Sequence, residues 1–385
     1  MAAEAGGRRL IQIANGLGAG NIGDDLMALA FWDSLPEDVS LDVEVFPNVD
    51  RLREPYPARH RYLRIDWSGS PLPRPDAPGL LVGDTPVTDV LGEWPLTFLA
   101  PRLQAFHDAG LPVDALGVGV EPLAAARSHA LFAAHFARVR SWSVRSESCR
   151  DELLRLGVPG ERVRVGADWA WLYRPRRDLR EWGAATWRGL GVDPEAPLLV
   201  ANVVNEIWGA RADLKAELAA ALDRASRSRG LQVAFLCHEA REGEFFDRAA
   251  AESTRALMAR PAAVVPNLYY SPDEVLGLLA HAEVSLCGRY HFGIASVLAG
   301  CLPAVVVRSE KMRQLAGELE VPGCGALEPA VAERIAGCLE ALLDSAAGTR
   351  EALRRARLRL AARAARNLPP GLAGPGVGVE PPGVF

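Results

Sequence analysis

Two open, mostly parallel α/β sheets in tandem are the fold class this sequence predicts, and three observations predict it. Short apolar runs alternate with stretches of helical apolar spacing along most of the chain. Glycine-bearing turns follow several of the apolar runs, where a strand would hand over to a helix. The length of 385 residues suits two to three domains of roughly 150 residues each.

The first series opens with alternation over residues 9–15, a glycine-rich turn, and helical spacing over 22–31. An alternating strand follows over 41–45. Further strands are expected over 80–82, 115–120 and 142–144, with helices over 94–109, 122–138 and 146–156. After Asp168 comes a charged stretch with prolines at 175, 194 and 197, the best place for a domain junction. The second series has strands over 198–204, 231–236, 262–266, 284–287 and 303–307, and helices over 210–227, 242–258, 272–280 and 291–299. Helices over 327–343 and 347–366 close it. The arginines of the last helix read as a solvated face packed from beneath by Leu353, Leu358 and Leu360. The expected organisation is an N-terminal α/β domain over 1–175, a junction over 176–196 and a C-terminal α/β domain over 197–345. A basic helix over 346–367 and a disordered glycine- and proline-rich tail over 368–385 complete it. Two such sheets are expected to face a cleft, with ligands gathered outside the carboxyl ends of the strands.

Composition excludes several function classes. Hydrophobic residues make up 49% and charged residues 24%, which rules out global disorder. The net charge of −5 argues against a dedicated nucleic-acid binder. No run approaches the roughly 18 to 20 apolar residues of a spanning helix, and residues 1–15 lack a signal-peptide core, so no transmembrane segment and a cytoplasmic location are expected. Six cysteines without a C-x-x-C pair read as buried thiols, neither a zinc site nor a disulfide framework, and no other metal-ligand spacing appears. Lys215 and Lys311 are the only lysines among 43 basic residues.

Three strand-to-helix turns carry chemistry. The first contains Gly18-x-Gly20-x-x-Gly23, which formally matches a dinucleotide fingerprint, with Asp42 and Glu44 downstream. Those acids lie inside an alternating strand, on its polar face, and this argues against a nicotinamide site. The turn keeps the capacity of a helix start to hold an anion or a hydroxyl-rich ligand. The second turn is Gly288-Arg289-Tyr290-His291, at the carboxyl end of an apolar strand. Arginine offers a planar fork for carboxylate or phosphate, and histidine is the side chain best poised for proton transfer near neutrality. The third is Arg145-Ser146-Glu147-Ser148, where either serine can cap the helix and Arg145 can serve as an ion-pair partner.

Taken in order, these pieces resemble the polysaccharide pyruvyl transferase family. The resemblance rests on Gly20-Asn21-Ile22-Gly23-Asp24, on Arg145 to Ser148 with Leu156-Gly157-Val158 and Asp168, and on Arg289-Tyr290-His291 followed by Gly300-Cys301-Leu302-Pro303 and Lys311. One departure is Gly83-Asp84-Thr85, where the family often has three glycines. The resemblance implies a GT-B-like pair of domains, the first on the acceptor side and the second on the donor side. It implies transfer of a pyruvyl group from phosphoenolpyruvate to a sugar or glycan as a ketal, with phosphoenolpyruvate as co-substrate and no resident cofactor. His291 is then the candidate general acid, Arg145, Arg289 and Lys311 bind the donor's anionic groups, and Asn21, Asp24 and Asp84 orient the acceptor. A GT-B nucleotide-sugar glycosyltransferase and a non-catalytic sugar- or anion-binding relative are the alternatives.

Overall fold

A computed structural model describes residues 8–13, 16–46, 57–65, 74–90, 92–204, 212–243, 246–325, 330–369 and 371–372. They divide into two compact units. The first takes its described residues from Met1–Ala19, Asp24–Tyr173 and Leu360–Pro382, and the second from Gly20–Gly23 and Arg174–Arg359.

The first unit runs β1 (Arg8–Ile13), α1 (Ile22–Asp33), β2 (Val39–Val45), β3 (Arg61–Arg64), β4 (Gly79–Val82), α2 (Trp94–Asp108) and β5 (Val113–Val118). It continues with α3 (Ala126–His135), β6 (Ser141–Val144), α4 (Glu147–Arg155) and β7 (Val163–Val165). Its seven strands are parallel in the order β3-β2-β1-β4-β5-β6-β7. The order reverses at β1/β4, the switch point outside which open sheets bind ligands. The central strands β4 and β5 are buried throughout, as parallel strands covered on both faces must be. β3 and β7 were not expected; they are the two edge strands, and their arginines and partial exposure leave no continuous apolar run to read. The helix expected from residue 122 begins at Ala126, because the Asp89 carboxylate takes the backbone N–H groups of Ala124 and Ala125.

Asp42 and Glu44 are structural. Asp42 accepts from Arg9 Nε at 3.0 Å and Arg61 Nε at 2.9 Å, and Glu44 accepts from the buried Arg102 at 2.9 Å. Both acids of the dinucleotide reading are thus committed to ion pairs.

The second unit runs α5 (Arg180–Gly189), β8 (Leu198–Asn202), α6 (Ala212–Arg229), β9 (Gln232–Phe235), α7 (Asp247–Leu257), β10 (Ala262–Val264), α8 (Pro272–Leu279) and β11 (Val284–Cys287). It ends with α9 (Tyr290–Leu298), β12 (Leu302–Val307), α10 (Glu310–Leu319), β13 (Gly323–Gly325), α11 (Val331–Asp344) and α12 (Ala346–Ala364). The strands are parallel in the order β10-β9-β8-β11-β12-β13, so the switch point lies at β8/β11. α8 starts on a capping box: Ser271 accepts from the Glu274 N–H, Glu274 accepts from the Ser271 N–H, and Pro272 supplies a preset first position.

Three boundaries differ from the sequence reading. The stretch 176–196 contains α5, which packs on α8 through Gly183 and Gly277, so it is part of the second unit. The last helix divides its residues: those through Arg359 group with the second unit and those from Leu360 with the first. Leu353 and Leu360 are buried under it as expected, whereas Leu358 is only half-buried and Arg357 is buried. Leu368 is buried too, so packing reaches into the expected tail, whose residues 370 and 373–385 lie outside the described ones, as do Ala14 and Asn15 at the end of the first strand. No helix among the described residues is long and apolar enough to cross a membrane.

Candidate functional site

At the switch point of the second sheet, β11 ends at Cys287 and the chain turns through Gly288 and Arg289 into α9. Arg289 is the residue before the helix and His291 its second residue. The Arg289 side chain is 11% exposed, and its Nε and NH2 donate to Asp247 Oδ1 at 2.8 and 2.7 Å. Asp247, fully buried at the start of α7, also accepts on Oδ2 from Asn202 Nδ2 at 2.9 Å and from the N–H groups of His238 at 2.9 Å and Glu239 at 3.2 Å. One carboxylate therefore joins the ends of β8 and β11 with the loop that follows β9. Arg308, after β12, donates from Nε to the Gly288 carbonyl at 2.7 Å and holds the turn from its other side.

His291 is half-buried, and the Gly20–Gly23 segment packs against it. A Cβ on Gly23 would lie 2.2 Å from His291 Nδ1, so only glycine fits. The segment is docked by Ile22 N–H to the His238 carbonyl at 3.2 Å, by Ala240 N–H to the Gly20 carbonyl at 2.7 Å, and by an antiparallel bridge of Asn21 with Glu239. The Asn21 side chain accepts from Gly23 N–H at 2.9 Å on Oδ1, which caps the start of α1.

His238 lies beside this pair. Its ring is 6.4 Å from that of His291 at an interplanar angle of 15°, and 6.1 Å from Phe292 edge-on. It is 1% exposed, and neither ring nitrogen has a hydrogen-bond partner among the described residues. Burial, and after it the neighbouring His291 and Arg289, hold its pKa well below the usual imidazole range, which favours the neutral ring. Lys311 sits half-buried in the first turn of α10.

The remaining expected site residues belong to the first unit. Asp24, 7% exposed in the first turn of α1, lies against the Gly16 backbone. Asp84 follows β4 in a left-handed conformation at φ 56°, its Oδ1 accepting from Thr85 N–H at 2.6 Å. That conformation favours glycine, and Asp84 holds it with its own carboxylate bonded to the next backbone N–H. Arg145 is 4% exposed. Its NH2 donates to Thr85 Oγ1 at 3.0 Å, its NH1 is 3.6 Å from Asp168, and Gly119 leaves the room it occupies, since a Cβ there would lie 2.5 Å from the guanidinium. Ser146 caps α4, accepting from Cys149 N–H at 3.1 Å. The structure thus brings Asn21, Arg289 and His291 together in one unit and places Asp24, Asp84 and Arg145 in the other.

Asp247, His238, Asn202 and Arg308 were missed by the sequence reading. A polar pair, His238-Glu239, directly after an apolar strand is the one signal that was available for two residues of this loop.

Two parallel open sheets with flanking helices define a GT-B-like protein. The S. aureus protein MnaA solved with UDP is similar at TM-score 0.60 and 10% identity, covering 90% of each chain. The UDP-GlcNAc 2-epimerase of Neisseria meningitidis bound to UDP-GlcNAc is similar at 0.55 and 8%, covering 90% of this chain and 94% of that one. Anabaena HepE in complex with UDP and glucose is similar at 0.55 and 10%, covering 93% and 95%. No curated protein sequence matches significantly. The chain belongs to the polysaccharide pyruvyl transferase family, whose model matches residues 21–309.

Proposed function

We propose that the protein transfers a pyruvyl group from phosphoenolpyruvate to two hydroxyls of a sugar or glycan, in the cytoplasm where that donor is made. The observation that carries this reading is the pairing of Arg289, pinned by Asp247, with His291 at the switch point of the second sheet. Phosphoenolpyruvate carries a carboxylate and a phosphate close together, which a fixed guanidinium suits. Lys311 adds charge for the phosphate. His291 delivers a proton to the methylene carbon, which makes the adjacent carbon electrophilic. One sugar hydroxyl adds there and loses its proton, the carbon–oxygen bond to phosphate breaks, and a second hydroxyl closes the ketal and loses its own. One of the two protons released replaces the one His291 gave up, and the other leaves with phosphate. Holding both hydroxyls on one sugar makes the second step effectively intramolecular. Asp24 and Asp84 are assigned to the acceptor, and Arg145, bound by Thr85 and Asp168, is assigned to holding the Asp84 loop in shape.

Phosphoenolpyruvate is expected to raise the melting temperature, and nicotinamide dinucleotides are not. Mass spectrometry after incubation with phosphoenolpyruvate and a panel of glycosides should show the pyruvyl ketal. Stabilisation and product formation with a nucleotide sugar instead would make the protein a glycosyltransferase. Stabilisation without turnover of any donor would make it a binding protein. The two central residues separate by kinetics. Arg289→Lys should lose donor affinity first, because lysine lacks the planar fork. His291→Gln should bind phosphoenolpyruvate nearly as well and release phosphate about 10²- to 10⁴-fold more slowly.

A further inference from the structure

We propose that Asp247 is a positioning residue of the donor site, a buried carboxylate that sets the orientation of Arg289 before the donor arrives. The inference rests on the reading that Arg289 holds the donor's anion.

Three features point to it. Asp247 is fully buried, and its two oxygens divide their work: Oδ1 takes both the Nε and NH2 donors of Arg289, while Oδ2 takes the Asn202 amide and the backbone N–H groups of His238 and Glu239. Those partners come from the ends of β8 and β11 and from the loop after β9, the three strand ends that flank the switch point, so the carboxylate is braced by backbone and amide groups that cannot swing away. Arg289 is itself largely removed from water, and the carboxylate beside it offsets part of the cost of burying the guanidinium charge.

The consequence for binding is directional. With the Nε–NH2 edge turned onto Asp247, the plane of the guanidinium is set before the donor arrives, and the side chain has little rotamer freedom left to lose when it binds. Asp247 is 42 residues from Arg289 in the chain and touches no proposed reacting atom, so its influence on the donor passes through Arg289.

A double-mutant cycle tests this, with phosphoenolpyruvate affinity read by calorimetry and folding by melting temperature. Asp247→Asn in the otherwise native protein should weaken phosphoenolpyruvate binding by about 10-fold or more, because an amide oxygen replaces the carboxylate facing the guanidinium. In an Arg289→Ala background the same substitution should change the affinity by less than about twofold, although melting temperature falls in both backgrounds. Asn202→Ala, which leaves the carboxylate in place with one brace fewer, should show a smaller loss that also disappears without Arg289, and it carries the test if Asp247→Asn does not fold. Native-like affinity in Asp247→Asn, or an equal loss in both backgrounds, overturns the inference alone. A native protein that binds inorganic phosphate but not phosphoenolpyruvate overturns the proposed donor, and the cycle is then read with phosphate. Binding of neither overturns both.

Discussion

Gly23 and His291 come from sequence positions far apart, yet a methyl group on the first would collide with the ring of the second. In the bare sequence Gly23 is the last glycine of an apparent dinucleotide fingerprint; in the structure its absent side chain is what admits the imidazole. Gly23→Ala should therefore push His291 out of place and lower turnover by about 10- to 100-fold with the protein still folded, as misplaced catalytic groups do. Steady-state phosphate release beside a melting curve checks this, and unchanged turnover would dissociate Gly23 from the chemistry. His238 poses the opposite case, a polar ring buried with no hydrogen-bond partner for either nitrogen among the described residues. His238→Phe, similar in shape and without ring nitrogens, should raise stability at pH 7 by about 1 kcal/mol. The pH dependence gives the sign independently. Burial holds the folded-state pKa of His238 well below 6.5, and that of His60 is pushed down to about 4 by burial and then by Arg59. Below pH 6.5 the unfolded chain binds protons at these rings that the folded chain does not, so stability is full above that pH and falls as pH drops towards 4. Denaturant titrations between pH 7 and 4.5 should show a slope that His238→Phe flattens by up to about 1.4 kcal/mol per pH unit. An identical slope in the variant would mean that His238 takes up its proton as readily in the folded state as in the unfolded chain.

Among the elements, α5 and α8 show how much of the second unit depends on close backbone approach. A Cβ on Gly183 would lie 2.3 Å from the Gly277 carbonyl oxygen, and one on Gly277 would lie 2.6 Å from the Leu179 carbonyl oxygen. Trp187, fully buried on α5, seals the contact by donating to the Leu278 carbonyl at 3.0 Å. Backbone cannot be displaced as a flexible side chain can, so Gly183→Ala should cost about 1–3 kcal/mol through overpacking. The measurement is the urea midpoint, and a midpoint equal to the native one would show that the two helices separate freely. The same contact explains why residues 176–196 are part of a domain rather than a linker. Their charge and prolines were legible in the sequence, whereas the glycine pair that docks them, Gly183 with a residue on another helix, was not.

For the molecule as a whole, the segment after the last helix packs onto the first unit. Asn367 is fully buried: it accepts from Ser143 Oγ at 2.7 Å and donates to the Ala167 carbonyl at 2.7 Å, and Gly166 leaves no room for a Cβ beneath it. With Leu368 buried beside it, this end belongs to the packed unit. A chain ending at Leu372 should melt with the native protein, because the glycine- and proline-rich remainder has little apolar surface to bury. A chain ending at Arg366 should lose about 5 °C or more, since the hydrogen bonds of Asn367 and the burial of Leu368 go together. Melting curves of the two truncations decide it; equal curves would show that Asn367 contributes nothing.

The sequence by itself determined the α/β class, the alternation of its elements and the adjacency of Arg289 and His291, because these follow from local apolar periodicity and from neighbours in the chain. It also placed Ser146 as a possible cap and Asp84 in a loop that glycine usually fills. Only the tertiary structure decided that Arg145 is bound by Thr85 60 residues away and that Asp247 holds Arg289. These pairings depend on strand order. Parallel strands that are distant in sequence become neighbours where each sheet reverses, β1 beside β4 and β8 beside β11, and periodicity says which residues form strands but not which strands lie side by side.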